Sequence, residues 1–258
     1  MRSVKPKKYL GQHFLIDKEI AKKIVMSLSN PKNVLEIGPG TGILTEFLIK
    51  KNINLKLVEI DSESVDFLIQ ELSVNEKIIF KQDFLKLNLK GLFNQNSFSV
   101  IGNFPYNISS QILFKIIENR EIISEMIGMF QLEVAERICE NEGSKKYGII
   151  SVLTQAFYHT EFLFSVSSNL FNPPPKVNSA VIKLIIKRNI KLQCDESLFF
   201  KIVKLSFQQR RKTIRNSLKT FNLSKNLREH TIFDNRPEQL SVNKFVQLTN
   251  LIFEDIRY

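Results

Sequence analysis

The segment from Asn33 to Leu48 constrains this chain more than any other. Asn33-Val34-Leu35-Glu36-Ile37 reads as a short buried strand, Gly38-Pro39-Gly40-Thr41-Gly42 interrupts it, and Ile43, Leu44, Phe47 and Leu48 open a helix. Strand, glycine turn and helix in that order let backbone approach a ligand closely at a helix N-terminus, an arrangement that belongs to parallel α/β sheets. The dinucleotide fingerprint would require glycine at position 43, where Ile43 stands. A pyrophosphate ligand, and with it a nicotinamide oxidoreductase, is therefore disfavoured. The sequence also offers no catalytic acid–base constellation for hydride transfer.

The spacing that is present, acidic-x-Gly-x-Gly-x-Gly, is the variant typical of S-adenosylmethionine sites, whose ligand carries a sulfonium and no phosphate. A second strand, Leu55 to Asp61, follows, and its acidic end begins with Glu59, 21 positions after Gly38. A carboxylate there can accept from both ribose hydroxyls. By spacing, Glu59 or Asp61 serves, and the other caps the next helix, whose apolar face is Val65, Leu68, Ile69 and Leu72. Ile78-Ile79-Phe80 is a third strand. Asp83 at its end either accepts from an adenine amino group or caps a loop.

Phe98 to Ile101 is a fourth buried strand, and it runs into Gly102-Asn103-Phe104-Pro105-Tyr106-Asn107-Ile108-Ser109. In an open α/β sheet, ligands bind at the carboxyl ends of the strands. The Asn103 side-chain oxygen and the Pro105 carbonyl can both accept from a planar amine, proline fixes the turn, and Tyr106 offers a ring face. An aromatic amine is a poor nucleophile, so holding it in place suits methyl transfer. The plainer alternative is a strand-end turn. Ser109 or Ser110 is expected to cap the following helix, with Ile112, Leu113, Ile116 and Ile117 on its buried face. Met126 to Phe130 then reads as a fifth strand, Leu132 to Ile138 as a helix and Asn141 to Tyr147 as a flexible polar loop. Ile149 to Tyr158 is a helix and Glu161 to Val166 a strand. Three prolines, Pro173 to Pro175, hold an extended loop before the strand Ala180 to Ile186. Phe171 at the base of that loop either stacks on a nucleobase or joins the core.

Net charge decides the partner class. The formal charge is +11, which points to a polyanion, nucleic acid before membrane. The excess is uneven: residues 189–258 hold 13 basic and 7 acidic side chains, against 24 and 19 in residues 1–188. Lys201, Lys204, Arg210, Arg211, Lys212, Arg215 and Lys219 occur without an intervening acid, and Val203, Phe207, Ile214 and Leu218 lie opposite them at helical spacing. This stretch is expected to be a helical phosphate-binding surface. Two cysteines and three scattered histidines leave neither a disulfide framework nor a metal-ligand spacing. The first eight residues read as a mobile basic arm rather than a secretory signal, and the cytoplasm is the expected compartment.

Taken together and in order, Gly11-Gln12-His13-Phe14-Leu15, Glu36 to Gly42, Val58 to Asp61, Gln82-Asp83, Gly102 to Ser109, Phe171 to Ala180 and Gln208 to Leu218 resemble the ribosomal RNA adenine dimethyltransferase family, with its small-subunit branch nearest. The resemblance implies a Rossmann-like class I methyltransferase domain over 1–188 and a small helical RNA-binding domain over 189–258. It implies S-adenosylmethionine as cofactor and two methyls on each of two adjacent adenosines in a hairpin near the 3′ end of small-subunit ribosomal RNA. Its cofactor contacts fall on His13, Leu15, Gly38, Gly40, Glu59, Asp83 and Asn103, which favours Glu59 over Asp61. At position 13 many relatives have Asn, and His13 is expected to donate through a ring N–H. Its catalytic positions are Asn103, Pro105, Tyr106 and Phe171, the two rings sandwiching the target base. RNA contacts are expected from Arg210, Arg211, Lys212 and Arg215, and a monomer is expected. A large-subunit adenine methyltransferase is the alternative of the same chemistry. A non-catalytic ribosome-assembly factor is the alternative of another class, and intact cofactor residues argue against it.

Overall fold

The computed structural model describes residues 4–188 and 191–256. Nine strands are present among them: β1 (Phe14–Leu15), β2 (Asn33–Ile37), β3 (Asn54–Glu59), β4 (Ile79–Lys81), β5 (Phe98–Asn103), β6 (Ile123–Gln131), β7 (Tyr158–Val166), β8 (Phe171–Asn172) and β9 (Ser179–Ile186). Seven of them form one sheet in the order β4-β3-β2-β5-β6-β9-β7, and β1 pairs with β8 in a separate ribbon. The pairs β2·β3, β3·β4, β2·β5 and β5·β6 are parallel, and β9 runs antiparallel to β6. Strand order reverses direction at β2 and β5, so the carboxyl ends of these two strands flank the crevice in which such sheets hold ligands. The expected Rossmann-like α/β fold is the fold observed.

Four helices follow the strand order: α1 (Lys18–Met26), α2 (Thr45–Leu48), α3 (Ser62–Leu72) and α4 (Ser109–Glu118). Asp17 caps α1 by accepting from Ile20 N–H at 2.8 Å, and Asp61 caps α3 by accepting from Glu63 N–H at 3.1 Å. The apolar face of α1 (Ala21, Ile24, Val25) packs with Val34, Leu57, Leu68, Ile101, Ile127 and Val181 in one buried cluster. Burial of this order, at about 25 cal/mol per Å2 of apolar surface, is the main term holding the sheet to its helices. Two local expectations are corrected. The helix after the glycine loop is a single turn beginning at Thr45, because residues 40–44 are occupied by turns, with Gly42 N–H donating to Pro39 O at 2.8 Å. Neither Ser109 nor Ser110 caps α4; Ile108 is at that position, and the Ser109 hydroxyl donates to Tyr106 O at 3.2 Å.

The remaining helices are α5 (Leu132–Cys139), α6 (Ile149–Phe157), α7 (Glu196–Gln208), α8 (Ile214–Ser217), α9 (Lys225–Arg228) and α10 (Val242–Asp255). The chain divides into two compact units. One comprises the residues up to Ala135 together with His159–Ile186, and the other comprises Glu136–Tyr158 and the residues from Lys187 onward. The chain passes between the units three times, the last time between Ile186 and Lys187, and the segment holding α6 belongs to the helical unit. Aromatic packing accounts for this: Phe157 stacks on Phe200 at 6.2 Å, and Tyr147 meets Phe207 edge-on at 6.3 Å. The polar loop 141–147, expected to be flexible, is tied down within its unit by Gly143 N–H to Glu238 O at 2.6 Å and by the Lys146–Glu136 ion pair at 2.7 Å. Among the described residues no helix is long and apolar enough to cross a membrane.

Candidate active site

A cavity of about 270 Å3 opens at the carboxyl ends of β2, β3 and β5, room for a small organic ligand rather than a lone ion or water. Its lining includes His13, Gly38, Gly40, Glu59, Asp83, Asn103, Pro105 and Tyr106, eight residues that five separate stretches of sequence contribute. Each is held there by a specific local cause.

The glycine turn comes first. Gly38, Gly40 and Gly42 all have positive φ, from 55 to 75°, a region that side chains other than Asn or Asp rarely enter. A Cβ on Gly40 would sit 2.8 Å from the Phe14 ring and one on Gly42 only 2.2 Å from Leu72 Cδ1, whereas one on Gly38 would meet nothing within 4 Å. The last two glycines therefore let the turn pack against protein, and Gly38 leaves open space on the cavity side.

Glu59 ends β3 with its carboxylate buried. Its two oxygens accept from Gly40 N–H at 3.0 Å, Ile60 N–H at 2.8 Å and Asp61 N–H at 2.9 Å. Burial pushes its pKa up, and these backbone donors pull it back. Behind it, Glu36 is fully enclosed; burial raises its pKa to about 8, against the Thr45 hydroxyl that donates to it at 2.7 Å. Asp61 is absent from the cavity lining. It caps α3 and receives the Lys7 ammonium and, at 3.0 Å, the Gln12 amide, so its pKa is held below the usual carboxylate range despite burial. The structure thus separates two carboxylates that spacing leaves equivalent. It also corrects the mobile-arm expectation: Lys7 is anchored on Asp61 and Glu63, while residues 1–3 lie outside the described residues.

Asn103 is the last residue of β5. Its amide Nδ2 donates to His13 O at 2.9 Å, which leaves Oδ1 as the acceptor beside Pro105. Phe104 next to it is buried, with its ring edge-on to Phe130 at 5.3 Å. There is room for that ring because its neighbours are Gly102 and Gly128, where a Cβ would come within 2.7 and 2.4 Å of it. The Tyr106 hydroxyl shares a 2.5 Å hydrogen bond with Ser179, and its ring stacks on the His13 imidazole with centroids 5.5 Å apart.

Three expected contacts are placed differently. The His13 Nδ1 lies 2.8 Å from Pro173 O, and a carbonyl only accepts, so that ring N–H holds the proline loop rather than a cavity ligand. Leu15 and Phe171 are each 2% exposed, pair across the β1·β8 ribbon and belong to the hydrophobic cluster. The Phe171 ring therefore has no free face for a nucleobase, and the core alternative holds for it. Asp83 caps the following turn, its Oδ1 accepting from Leu85 N–H at 2.9 Å, and the residue also lines the cavity.

The basic segment belongs to the helical unit. It is two helices with a turn between, since α7 ends at Gln208 and α8 starts at Ile214, whose N–H donates to Asn235 O at 2.8 Å. Arg210 donates to the carbonyls of Ser144 and Lys145, and Arg215 to the Arg228 carbonyl and the Asp234 carboxylate. Lys201, Lys204, Arg211, Lys212 and Lys219 are exposed. Sequence reasoning missed the Lys7 and Gln12 contacts to Asp61, the Ser179 tether and the Lys115 contacts to the carbonyls of Phe84, Leu85 and Leu87. All join residues far apart in the chain, and periodicity carries no signal for such pairs.

The cavity fits S-adenosylmethionine. The carboxylates of Glu59 and Asp83 line it, and Gly38 leaves open space in its wall. A family model described as ribosomal RNA adenine dimethylase matches residues 3–254. A protein of Flavobacterium johnsoniae named ribosomal RNA small subunit methyltransferase A is 57% identical over 99% of this chain and 98% of its own length. One of the same name from Bacteroides thetaiotaomicron is 52% identical over 100% and 97%. Among solved structures, a dimethyladenosine transferase from Plasmodium falciparum superposes with a TM-score of 0.79 at 26% identity, covering 94% of this chain and 98% of that one. The 23S rRNA methyltransferase ErmE superposes at 0.67 and 24% identity over 92% and 99%, which shows a common fold. With a family match along nearly its whole length and relatives identical at more than half of their positions, the chain belongs to the ribosomal RNA adenine dimethylase family.

Proposed function

We propose that this S-adenosylmethionine-dependent enzyme places two methyl groups on the exocyclic N6 of each of two adjacent adenosines near the 3′ end of small-subunit ribosomal RNA. The observation that carries the chemistry is the orientation of Asn103. Its amide nitrogen is committed to the His13 carbonyl, so the oxygen is the group that faces the reacting amine. The names of relatives more than 50% identical support the small-subunit target.

When bound, the cofactor supplies an electrophilic methyl group on a sulfonium. The chain's own residues do the rest. Glu59 accepts from the ribose hydroxyls and Asp83 from the adenine amino group of the cofactor. The target adenine, unstacked from its RNA, lies on the Tyr106 ring, whose position is set by Ser179 at one end and His13 on one face. Asn103 Oδ1 and the Pro105 carbonyl accept the two N–H bonds of its amine and aim the lone pair. Positioning of this kind supplies most of the acceleration. Methyl transfer from the bound cofactor would leave the amine nitrogen strongly acidic, so that its proton could pass to water without a dedicated base from the chain. Exposed Arg211 and Lys212 contact RNA phosphates from the helical unit, and the enzyme works in the cytoplasm as a monomer.

The second methylation is the sharper test. After the first, one N–H remains for two acceptors, and a buried acceptor without a partner costs about 1–3 kcal/mol unless water reaches it. Monomethyladenosine should therefore accumulate transiently in single-turnover reactions on small-subunit RNA or particles and then be consumed. A reaction that halts at monomethyladenosine with cofactor in excess contradicts this reading of the pocket.

A further inference from the structure

Lys115 lies on α4, the helix that leaves the Asn103–Ile108 turn. Its ammonium donates to three carbonyls of one short segment: Phe84 O at 2.7 Å, Leu85 O at 2.8 Å and Leu87 O at 2.7 Å. An ammonium has three N–H donors and no acceptor, so this set uses its whole capacity. It also lies 5.1 Å from the centroid of the Phe84 ring, which is itself buried. The segment it gathers is the turn that opens at Asp83, and Gln82, Asp83, Phe84 and Leu85 all line the cavity. Backbone carbonyls converging on one point repel one another unless a cation or several donors sit between them. The turn closes on itself, with Lys86 and Leu87 N–H donating to Asp83 O at 3.0 and 3.1 Å, and Lys115 is what ties its outward carbonyls to α4 and so fixes Asp83 relative to that helix.

We propose that Lys115 is a positioning residue for cofactor recognition: it clamps the turn at 84–87 so that Asp83 reads the adenine amino group. This rests on the reading above that the adenine lies at Asp83. In the fold, the clamp ties the nucleobase end of the cleft to the helix that starts at the methyl-acceptor turn. Specificity for adenine thus depends on a residue that does not line the cavity.

The test is calorimetric binding of S-adenosylhomocysteine and S-inosylhomocysteine, which differ by replacement of the amino group by an oxo group. The wild-type protein should prefer the adenosyl compound by about 10- to 100-fold, the size of one hydrogen bond to a charged acceptor. Asp83→Ala should abolish the preference. Lys115→Met should lose most of it while retaining a cooperative thermal transition, and the double variant should be no worse than Asp83→Ala alone. In turnover, Lys115→Met should raise KM for the cofactor more than it lowers kcat, and Lys115→Arg, which keeps donors in place, should recover much of the discrimination. If Lys115→Met does not fold, Lys115→Gln, with one amide donor pair, should show an intermediate loss. Full preference in a folded Lys115→Met or Lys115→Gln protein overturns the proposal while the adenine reading stands. Full preference in Asp83→Ala overturns the adenine reading, and the proposal for Lys115 falls with it.

Discussion

The cofactor cleft and the basic segment 201–219 are both rich in polar side chains, yet the two regions commit them in opposite ways. In the cleft, the backbone satisfies one side of each functional group and leaves the other side to a ligand. Asn103 gives its amide nitrogen to His13 and keeps its oxygen, and Glu59 takes three backbone donors while still lining the cavity. In the basic segment, the arginines divide into separate sets. Arg210 and Arg215 are used internally on carbonyls and on Asp234, whereas Arg211 and Lys212 reach solvent. A polar group fixed on one side is prepared for recognition, and a cation fully used by the protein is part of the architecture. Charge density alone does not tell them apart.

Substitutions can break or sharpen this contrast. Asn103→Ala should have the largest effect, lowering the single-turnover rate by about 10²–10³ with little change in thermal stability, because it removes the acceptor we propose for the reacting amine. Wild-type chemistry in that variant would remove Asn103 from the mechanism. Glu59→Ala should weaken cofactor binding by roughly 10- to 100-fold in calorimetry, since it deletes a buried charged acceptor and strands its backbone donors. Unchanged affinity would move the ribose contact away from Glu59. In the helical unit, Arg215→Ala should cost about 1 kcal/mol of unfolding free energy, as the Arg228 carbonyl and Asp234 lose their partner. Arg211→Ala and Lys212→Ala should leave the melting temperature unchanged, and each should reduce the log–log salt slope of RNA binding by about one unit. The reverse assignment, with Arg211 stabilising the unit and Arg215 setting the slope, would overturn the division.

Much of this architecture was legible in the chain. The run Asn33–Ile37 is a strand with the bounds its apolar pattern predicts. The glycine spacing located the cleft, since positive φ and close packing at Gly40 and Gly42 leave few other residues possible. Glu59 and Asp61 could not be separated by spacing, because what separates them is a lysine and a glutamine about fifty residues away in the chain. Phe171 was read as a clamp through resemblance. Its burial follows from the pairing of β8 with β1, a two-residue ribbon with no periodic signature. Helical spacing across 203–218 was real, but it continued through a break, since apolar positions in two short helices of one unit face the same core.

The most direct measurement is a map of methylated adenosines in ribosomal RNA from cells with and without this protein, and from cells carrying only Asn103→Ala. N6-dimethyladenosine should disappear from two adjacent positions near the 3′ end of small-subunit RNA in the latter two, with large-subunit RNA unchanged. Intact dimethylation at that pair, or a loss confined to large-subunit RNA, would contradict the account.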